Sequence, residues 1–256
     1  MDEYPKPRLK VNPVLNFFGA RVFRHLFRLR FEGASNAKGI EGGVLVVANH
    51  PTYLDPPFII GLFNHWLKRP IATMAWEAIF SVPIVGRIVR RYGAFPVNLE
   101  NPGRGPYETM LRQLKDGGPA LIFPEGERSA QEVMGPWKPG ALRAAHKAGA
   151  KVLPITVLHA RRVWPMGLAV PRFFKPVTII VHEAKTLEEF CVPLEGERDR
   201  DWLARCESAI SEIINAPILA EAEQACEDHI TNWKRKTPAH KQHAGTQWIE
   251  RRYKIN

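Results

Sequence analysis

His50 and Asp55 are the residues of this chain whose types and spacing are best suited to chemistry. They lie in residues 49–55, NHPTYLD, directly after the apolar run 44–48. A histidine titrates near neutral pH and can take a proton from an alcohol. A carboxylate bonded to the other ring nitrogen fixes the tautomer and stabilises the imidazolium. The pair predicts a histidine base oriented by an aspartate; the alternative is a loop histidine near a helix-capping aspartate.

The spacing of this pair sets the local structure that it needs. Two residues five apart lie about 140° apart on a regular helix, so they do not touch there. Asp55 precedes Pro56, and aspartate before proline is typical of an N-cap followed by the first helical residue. The sequence therefore predicts a helix that starts at Pro56 and a loop in which His50 folds back onto Asp55.

A second chemical block follows another apolar run. Residues 121–129 read LIFPEGERS, in which Pro124 and Gly126 mark the end of a strand. Arg128 can hold a phosphate or a carboxylate through its planar guanidinium. The alternative interpretation is an exposed turn that carries a surface arginine.

The positive charge lies at the two ends of the chain. The 256 residues carry a formal net charge of +10. Residues 1–31 hold seven Lys and Arg against two acidic residues, and residues 231–256 hold seven against one, so that 32–230 sum to −1. Basic ends bind nucleic acid or anionic lipid headgroups. The chain has no nucleic-acid recognition motif, and its three separated cysteines predict reduced thiols facing the cytosol and no metal site.

Residues 11–31 have the pattern of a basic amphipathic helix. Apolar residues recur at helical spacing, arginines occupy another face, and extra aromatics widen the apolar face: Leu15, Phe18, Val22, Leu26 and Leu29; Arg21, Arg24 and Arg28; Phe17, Phe23 and Phe27. We expect this helix to lie in an anionic membrane interface, and packing on the core is the alternative. The chain has no run of 18 or more uncharged apolar residues, so peripheral attachment to the cytoplasmic membrane face is predicted.

From residue 44 onward, strand and helix patterns alternate. The strand candidates are 44–48, 70–74, 94–97, 119–123, 152–158 and 176–182; the helix candidates are 56–67, 77–91, 106–116, 139–148 and 200–215. Alternation predicts an α/β fold with a largely parallel central sheet flanked by helices. Such sheets bind ligands beyond the carboxyl ends of their strands, where His50 and Glu125 both lie.

This pattern divides the chain into a membrane-association segment, 1–31, an α/β domain, 32–230, and a basic C-terminal extension, 231–256. Two apolar stretches inside the domain are ambiguous. We interpret segment 76–89 as core, with the rim of an acyl groove as the alternative. Residues 164–174 are interpreted as a hairpin insertion that touches lipid.

Together the two chemical blocks resemble the glycerolipid acyltransferase superfamily. Its Asn-His-x4-Asp motif is matched by 49–55, and its Phe-Pro-Glu-Gly-Thr-Arg-Ser motif is matched by 123–129 with Glu127 in the Thr position. A Gly-x-[Ile/Phe]-Pro-Val-Asp-Arg motif is matched in part by 93–99, and a late Val-Pro-Val/Ile strand is matched by 152–156. Residues 137–141 are similar to the Phe-Lys-x-Gly-Ala run of the family. The motifs come in the family order and span residues 40–185.

The resemblance implies a reaction and a set of roles. A fatty acyl group would pass from the thioester of acyl-CoA or acyl-carrier protein to the hydroxyl of a lysolipid. The favoured acceptor would be 1-acylglycerol-3-phosphate. His50 would be the general base and Asp55 its orienting partner. The substrate-binding residues would be Glu125, Gly126, Arg128, Gly93, Phe95 and Lys138. No metal or bound cofactor is implied.

One departure from the family pattern concerns the acceptor. Asn98-Leu99 replaces Asp-Arg, whose arginine helps to hold the acceptor phosphate in the family. Arg90, Arg91 and Arg104 are the nearby candidates for compensation. The alternatives are a different lysolipid acceptor and a catalytically silent membrane-binding module.

Overall fold

A seven-stranded sheet with helices on both faces forms the centre of the molecule. The computed structural model describes residues 13–101, 103–129 and 132–236. Its strands are β1 (Arg30–Glu32), β2 (Val44–Ala48), β3 (Ala72–Trp76), β4 (Ala94–Val97), β5 (Pro119–Ile122), β6 (Lys151–Leu158) and β7 (Thr178–Val181). The strand order is β1-β7-β6-β2-β5-β3-β4, with every pair parallel except β6 and β7. The predicted α/β fold with a largely parallel sheet is confirmed.

The helices connect these strands and cover the sheet. They are α1 (Pro13–Leu26), α2 (Asp55–Gly61), α3 (Pro83–Arg91), α4 (Gly105–Lys115), α5 (Arg143–Ala148), α6 (Ala160–Val163), α7 (Leu187–Phe190) and α8 (Asp199–Lys236). Short 3-10 segments occupy Ala34–Ala37 and Glu77–Ser81, and a π-helical turn, Leu62–Trp66, extends α2. Within the described residues, no helix is both long and apolar enough to cross a bilayer.

Two apolar layers enclose the sheet, and β2 contributes to both. Val44 and Val46 face a layer that contains Phe58 of α2, whereas Leu45 faces a layer that contains Leu114 of α4. All five residues of β2 are fully buried. A strand that is covered on both faces needs a continuous apolar run, which explains why residues 44–48 do not alternate with polar residues. The loop after β2 therefore begins from the middle of a rigid sheet.

The structure corrects several predicted elements. The predicted helix 77–91 is broken at Val82, which is extended (φ −75°, ψ 116°) because Pro83 follows it. The predicted helix 200–215 continues to Lys236 and so enters the predicted basic extension. Residues 164–174 form a loop between α6 and β7 instead of a hairpin. Residues 1–12 and 237–256 lie outside the described residues, so the remainder of the two basic ends stays a prediction.

The core interpretation of segment 76–89 is also wrong for its second half. Gly86 is the buried residue of α3, and the side chains of Ile84, Val85 and Ile88 are exposed. The helix packs mainly on the 3-10 segment before it and on β4, and within the described ranges its exposed apolar side chains belong to neither core layer.

The predicted helix 11–31 ends earlier, at Leu26, and Arg30–Glu32 forms strand β1. The residues around the C-terminal end of the helix pack on the core, which was the alternative interpretation. Phe27 and Leu29 are buried, and Phe23 packs against the same core layer as Phe58 of α2. Phe27 therefore does not widen an exposed apolar face. Phe18 and Val22 are exposed. Leu15 and Phe17 have side chains that lie outside the described residues.

A substitution at Gly43 should test how tightly α4 abuts the central strand. A Cβ atom there would lie 2.2 Å from the backbone oxygen of Leu114, so Gly43→Ala should lower the free energy of unfolding by about 1–3 kcal/mol. Gly61→Ala is the matched control, because no atom lies within 4 Å of its added Cβ and alanine favours the helix by about 1 kcal/mol. Equal free energies of unfolding for the Gly43→Ala and Gly61→Ala variants in urea denaturation would contradict this packing.

Candidate active site

His50 and Asp55 meet in the loop that joins β2 to α2. His50 Nδ1 lies 2.9 Å from Asp55 Oδ2. The aspartate side chain is 0% exposed and the histidine side chain is 16% exposed. With Nδ1–H donated to the carboxylate, Nε2 is the basic nitrogen of the ring. The loop thus brings the imidazole of His50 into contact with the carboxylate of Asp55, as the spacing predicted.

Asp55 reaches this geometry by a different route from the predicted N-cap. Helix α2 begins at Asp55 itself, and Leu54 is the N-cap residue. A capping side chain accepts from the N–H groups two or three residues later. Pro57 has no N–H, and the N–H of Phe58 donates to the Leu54 carbonyl instead. The carboxylate of Asp55 therefore turns back toward the loop.

Thr52 holds the carboxylate in that position. Its backbone N–H donates to Asp55 Oδ2 at 2.6 Å, and its hydroxyl donates to Oδ1 at 2.5 Å. The hydroxyl in turn accepts from the Leu54 N–H at 3.2 Å. Burial raises the pKa of the Asp55 carboxyl above its ordinary value, and the hydrogen bonds from His50 and Thr52 act against this rise.

The block at the end of β5 fixes the backbone of His50. The N–H of His50 donates to Glu125 Oε1 at 3.0 Å, and the carbonyl of His50 accepts from the Ser129 N–H at 3.0 Å. The ring of Phe123 stacks on the imidazole, with the centroids 4.1 Å apart. Strands β2 and β5 are hydrogen-bonded neighbours, so both loops emerge at the same edge of the sheet. The two sequence motifs therefore form one site.

Glu125 has a different position from that expected of a residue that binds the acceptor. Its Oε2 accepts from the Gly135 N–H at 2.9 Å while its Oε1 accepts from His50. Burial raises the pKa of Glu125, and the hydrogen bonds from Gly135 and His50 act against this rise. Both carboxylate oxygens are thus engaged with backbone. We assign Glu125 to positioning His50 instead of binding substrate.

Asn49 is a structural residue that the motif alone did not reveal. Its side chain is fully buried, and its Oδ1 accepts from the Val157 N–H at 2.7 Å. Its Nδ2 donates to the carbonyls of Val157 and Glu132 at 3.0 and 2.9 Å. The end of β2 is thereby locked to β6 on the side away from β5. Apart from the position of Asn49 in the motif, nothing in the sequence indicates this role.

Arg128, Gly126 and Lys138 lie at the rim of the same loop cluster. The guanidinium of Arg128 lies 3.5 Å from the centre of the Tyr53 ring, and Nη2 donates to the Tyr53 hydroxyl at 2.7 Å. Gly126 has a φ of +74°, and an added Cβ would lie 2.9 Å from the Lys138 side chain. The Lys138 N–H donates to the Pro124 carbonyl at 2.7 Å. Two cationic side chains thus flank the loop that follows β5.

Gly93 and Phe95 lie elsewhere, which corrects their predicted substrate-binding role. Gly93 precedes β4 and has a φ of +84°, so it is at the amino end of the sheet, whereas His50 follows the carboxyl end of β2. Phe95 is buried in the core layer beneath α4. Both residues match the motif for reasons of backbone conformation and packing. We exclude them from the proposed site.

Asn98-Leu99, which replaces the Asp-Arg of the family motif, lies at the carboxyl edge of the sheet but far from His50. Asn98 follows β4, and its Oδ1 accepts from the N–H groups of Glu100 and Asn101. Three strand spacings separate β4 from β2, or roughly 14 Å. Arg90 and Arg91 end α3 at the opposite edge of the sheet, so they do not compensate. Arg104 begins α4 at the same edge as His50 and stays a candidate.

No set of three or more His, Cys, Asp or Glu side chains is arranged to hold a metal ion within the ranges that the structure describes.

Residues 28–158, which include the whole of this site, match the model of the Acyltransferase family. The chain belongs to the acyltransferase family. A 1-acyl-sn-glycerol-3-phosphate acyltransferase of Chlamydomonas reinhardtii is 32% identical over 192 residues, which cover 72% of this chain and 56% of that protein. A Bacillus subtilis protein of the same name is 32% identical over 114 residues, 44% of this chain and 55% of that one.

A solved structure has the same fold as this chain. The crystal structure of the 1-acyl-sn-glycerophosphate (LPA) acyltransferase PlsC from Thermotoga maritima matches with a TM-score of 0.58 and 25% identity. The match covers 80% of this chain and 77% of that one. The chain spans little more than half of the length of the two curated relatives named above.

Replacement of Asp55 should separate stability from activity. In Asp55→Asn the amide can keep the contacts of Thr52 and His50 but cannot stabilise an imidazolium, so kcat should fall roughly 10⁴-fold. Because burial raises the pKa of Asp55 above 3.8, its contribution to stability is present at low pH and is lost as pH rises through the raised pKa. The variant should therefore be at least as stable as the wild type at neutral pH, and its relative stability should increase with pH.

Steady-state kinetics and thermal unfolding of the same preparations test this expectation. Retention of more than a tenth of the wild-type kcat in folded Asp55→Asn would contradict the assigned role of the carboxylate.

Replacement of Glu125 should distinguish positioning from acceptor binding. In Glu125→Gln the amide NH₂ faces the N–H of either His50 or Gly135, and an unpaired buried N–H costs about 1–3 kcal/mol. We expect kcat to fall about tenfold to hundredfold with an acceptor KM near that of the wild type. A raised acceptor KM with an unchanged kcat would instead support the role in the acceptor pocket.

Proposed function

We propose that this protein transfers a fatty acyl group from a thioester to the hydroxyl of a lysolipid. The observation that carries the proposal is the pairing of His50 with buried Asp55 at the carboxyl edge of the sheet, in a chain of the acyltransferase family. The relatives of Chlamydomonas and Bacillus are named for acylation of 1-acyl-sn-glycerol 3-phosphate. We take this lysolipid as the acceptor and phosphatidic acid as the product.

The proposed reaction needs one general base and no acyl-enzyme. Nε2 of His50 removes the proton from the acceptor hydroxyl as its oxygen attacks the thioester carbonyl. Asp55 stabilises the imidazolium that forms, since its Oδ2 accepts from Nδ1. When the C–S bond breaks, the imidazolium returns the proton to the leaving thiolate of CoA or acyl-carrier protein. The backbone clamps from Glu125 and Ser129 hold the ring in place throughout.

Arg128 is the group that we propose for the acceptor phosphate. It extends from the same loop as Glu125, and the Tyr53 ring supports one face of its guanidinium. Leu99 cannot share the charge of the phosphate, and Asn98 is used within its own turn. This departure favours a different lysolipid as the second candidate acceptor. Lys138, which lies across Gly126, would contribute a further positive charge.

We also propose that the protein attaches peripherally to an anionic membrane surface, at the cytoplasmic face. Helix α1 exposes Phe18 and Val22, and an open cleft beside it is lined by Arg21, Arg24 and Arg28. Apolar side chains with arginines beside them are typical of helices that lie in the plane of a bilayer interface. Anionic lipid, rather than nucleic acid, is the partner that this combination fits.

Mass spectrometry of lipid products tests the proposed reaction. The protein is incubated with acyl-CoA or acyl-carrier protein and with a panel of lysolipids that differ in headgroup. Phosphatidic acid from 1-acylglycerol 3-phosphate is the expected product. Faster acylation of another lysolipid would make that lipid the acceptor, and no acylated product with either donor would favour the silent membrane-binding module.

Removal of the Arg128 guanidinium should weaken acceptor binding and leave donor binding intact. A lost charge-assisted contact of about 1.5–3 kcal/mol predicts an acceptor KM raised roughly tenfold to hundredfold in Arg128→Ala. Arg143→Ala, an exposed arginine of α5, is the matched control and should behave as the wild type. A raised donor KM with a normal acceptor KM would reverse the assignment of the two sides of the site.

A further inference from the structure

Helix α3 presents its apolar side chains outward. Ile84 is 71% exposed and Ile88 is 50% exposed, and Val82 and Val85 beside them are also exposed. Large apolar side chains are scattered singly on most protein surfaces, but a group on one short helix marks a surface that another apolar phase covers. The other side chains of the helix indicate what that phase is.

The charges of α3 are all positive. Ile84, Val85 and Ile88 fall within an arc of about 100° on a regular helix, and Arg87, Arg90 and Arg91 fall within another arc of about 100°. The helix contains no acidic residue. This combination complements an anionic lipid surface, in which acyl chains accept the apolar arc and phosphates accept the arginines.

A close backbone contact attaches α3 to the protein without using its exposed apolar side chains. Gly86 is its buried residue, and an added Cβ there would lie 2.4 Å from the Phe80 carbonyl oxygen. Arg90 lies over the Phe80 ring, with 5.0 Å between the guanidinium carbon and the ring centroid. The helix is thus held by one side, and its apolar arc projects away from the sheet.

Helices α1 and α3 lie on the same face of the sheet. An added Cβ on Gly19 of α1 would lie 3.9 Å from the hydroxyl of Tyr92, which directly follows α3. Helix α1 also contacts α2, which belongs to the core layer on this face. Two neighbouring helices on one face thus carry exposed apolar residues with arginines beside them.

We propose that α3 is a second membrane-contacting helix, which lies in the interface of an anionic bilayer beside α1. The inference rests on the proposed membrane attachment and deepens it. Contacts at two helices restrain the orientation of the sheet relative to the bilayer, whereas one helix would leave the domain free to turn about it. The edge of the sheet that carries His50 then keeps a fixed orientation relative to the bilayer from which the acceptor comes.

Sedimentation with vesicles of phosphatidylglycerol and phosphatidylcholine tests this surface. The variant Ile84→Asp/Ile88→Asp should bind at least tenfold more weakly than the wild type, because two buried apolar side chains contribute to partitioning. Ile84→Trp should bind more tightly, since tryptophan favours the interface. The matched control is Val192→Asp/Leu194→Asp, at residues 72% and 62% exposed in the loop after α7, and it should bind as the wild type.

Several results would overturn the proposal. Wild-type binding by a folded Ile84→Asp/Ile88→Asp variant would do so, and Ile84→Gln/Ile88→Gln is used if the aspartates prevent folding. A wild-type dimer in light scattering that becomes monomeric in the variant would assign α3 to contact between two copies of the chain. An equal loss of binding in the control would show that any added negative charge suffices.

Acyl transfer to a lysolipid kept below its micellar concentration separates this proposal from the proposed function. The α3 variant should retain the wild-type rate on this monomeric acceptor and lose rate on vesicle-bound acceptor. Absence of transfer by the wild type, with vesicle binding that depends on α3, would refute the function and leave the membrane surface standing. Normal acyl transfer by the wild type, together with vesicle binding that is unchanged in the α3 variant, would refute only the proposal that α3 contacts the membrane.

Discussion

A carboxylate with no exposed surface must be satisfied by hydrogen bonds, and the active-site loop is shaped by the way in which this happens at Asp55. Three donors converge on its two oxygens: the ring of His50, the N–H of Thr52 and the hydroxyl of Thr52. Two prolines after Asp55 remove or displace the helical donors that it would otherwise cap, so the side chain turns back. The same hydrogen bonds to Asp55 therefore orient the ring of His50 and close the loop.

The loop depends in turn on the strands beside it. Asn49 ties the end of β2 to β6, and Glu125 ties the next residue to the loop that follows β5. Both neighbours of the central strand thereby hold His50, although their residues are more than 70 positions away in sequence. An imidazole that is held at its backbone, its ring face and its Nδ1 has little freedom to leave the geometry that we propose for proton transfer. Such preorganisation lowers the entropy that the reaction must otherwise lose.

Local patterns were sufficient to predict the fold class and the meeting of His50 with Asp55. The apolar run of β2, the alternation of strands and helices, and the proline after Asp55 all act over a few residues. The role of Glu125 was not predictable, because it depends on the N–H of His50 in the loop after β2 and on another from Gly135. Gly93 and Phe95 carry a motif whose spacing does not reveal which edge of the sheet they occupy. Exposure of α3 was likewise hidden, since an apolar segment has the same composition whether the protein or a bilayer covers it.

The central claim is that His50 is the base of acyl transfer, and the activity of a folded His50→Ala protein tests it most directly. His146→Ala, a partly exposed histidine on α5, serves as the control for loss of an imidazole. Turnover of acyl-CoA and 1-acylglycerol 3-phosphate is followed by mass spectrometry, with thermal unfolding measured on the same preparations. The account predicts no detectable product from His50→Ala, and wild-type turnover from His146→Ala. Substantial product from folded His50→Ala would contradict it, because the proton of the acceptor hydroxyl would then leave by another route.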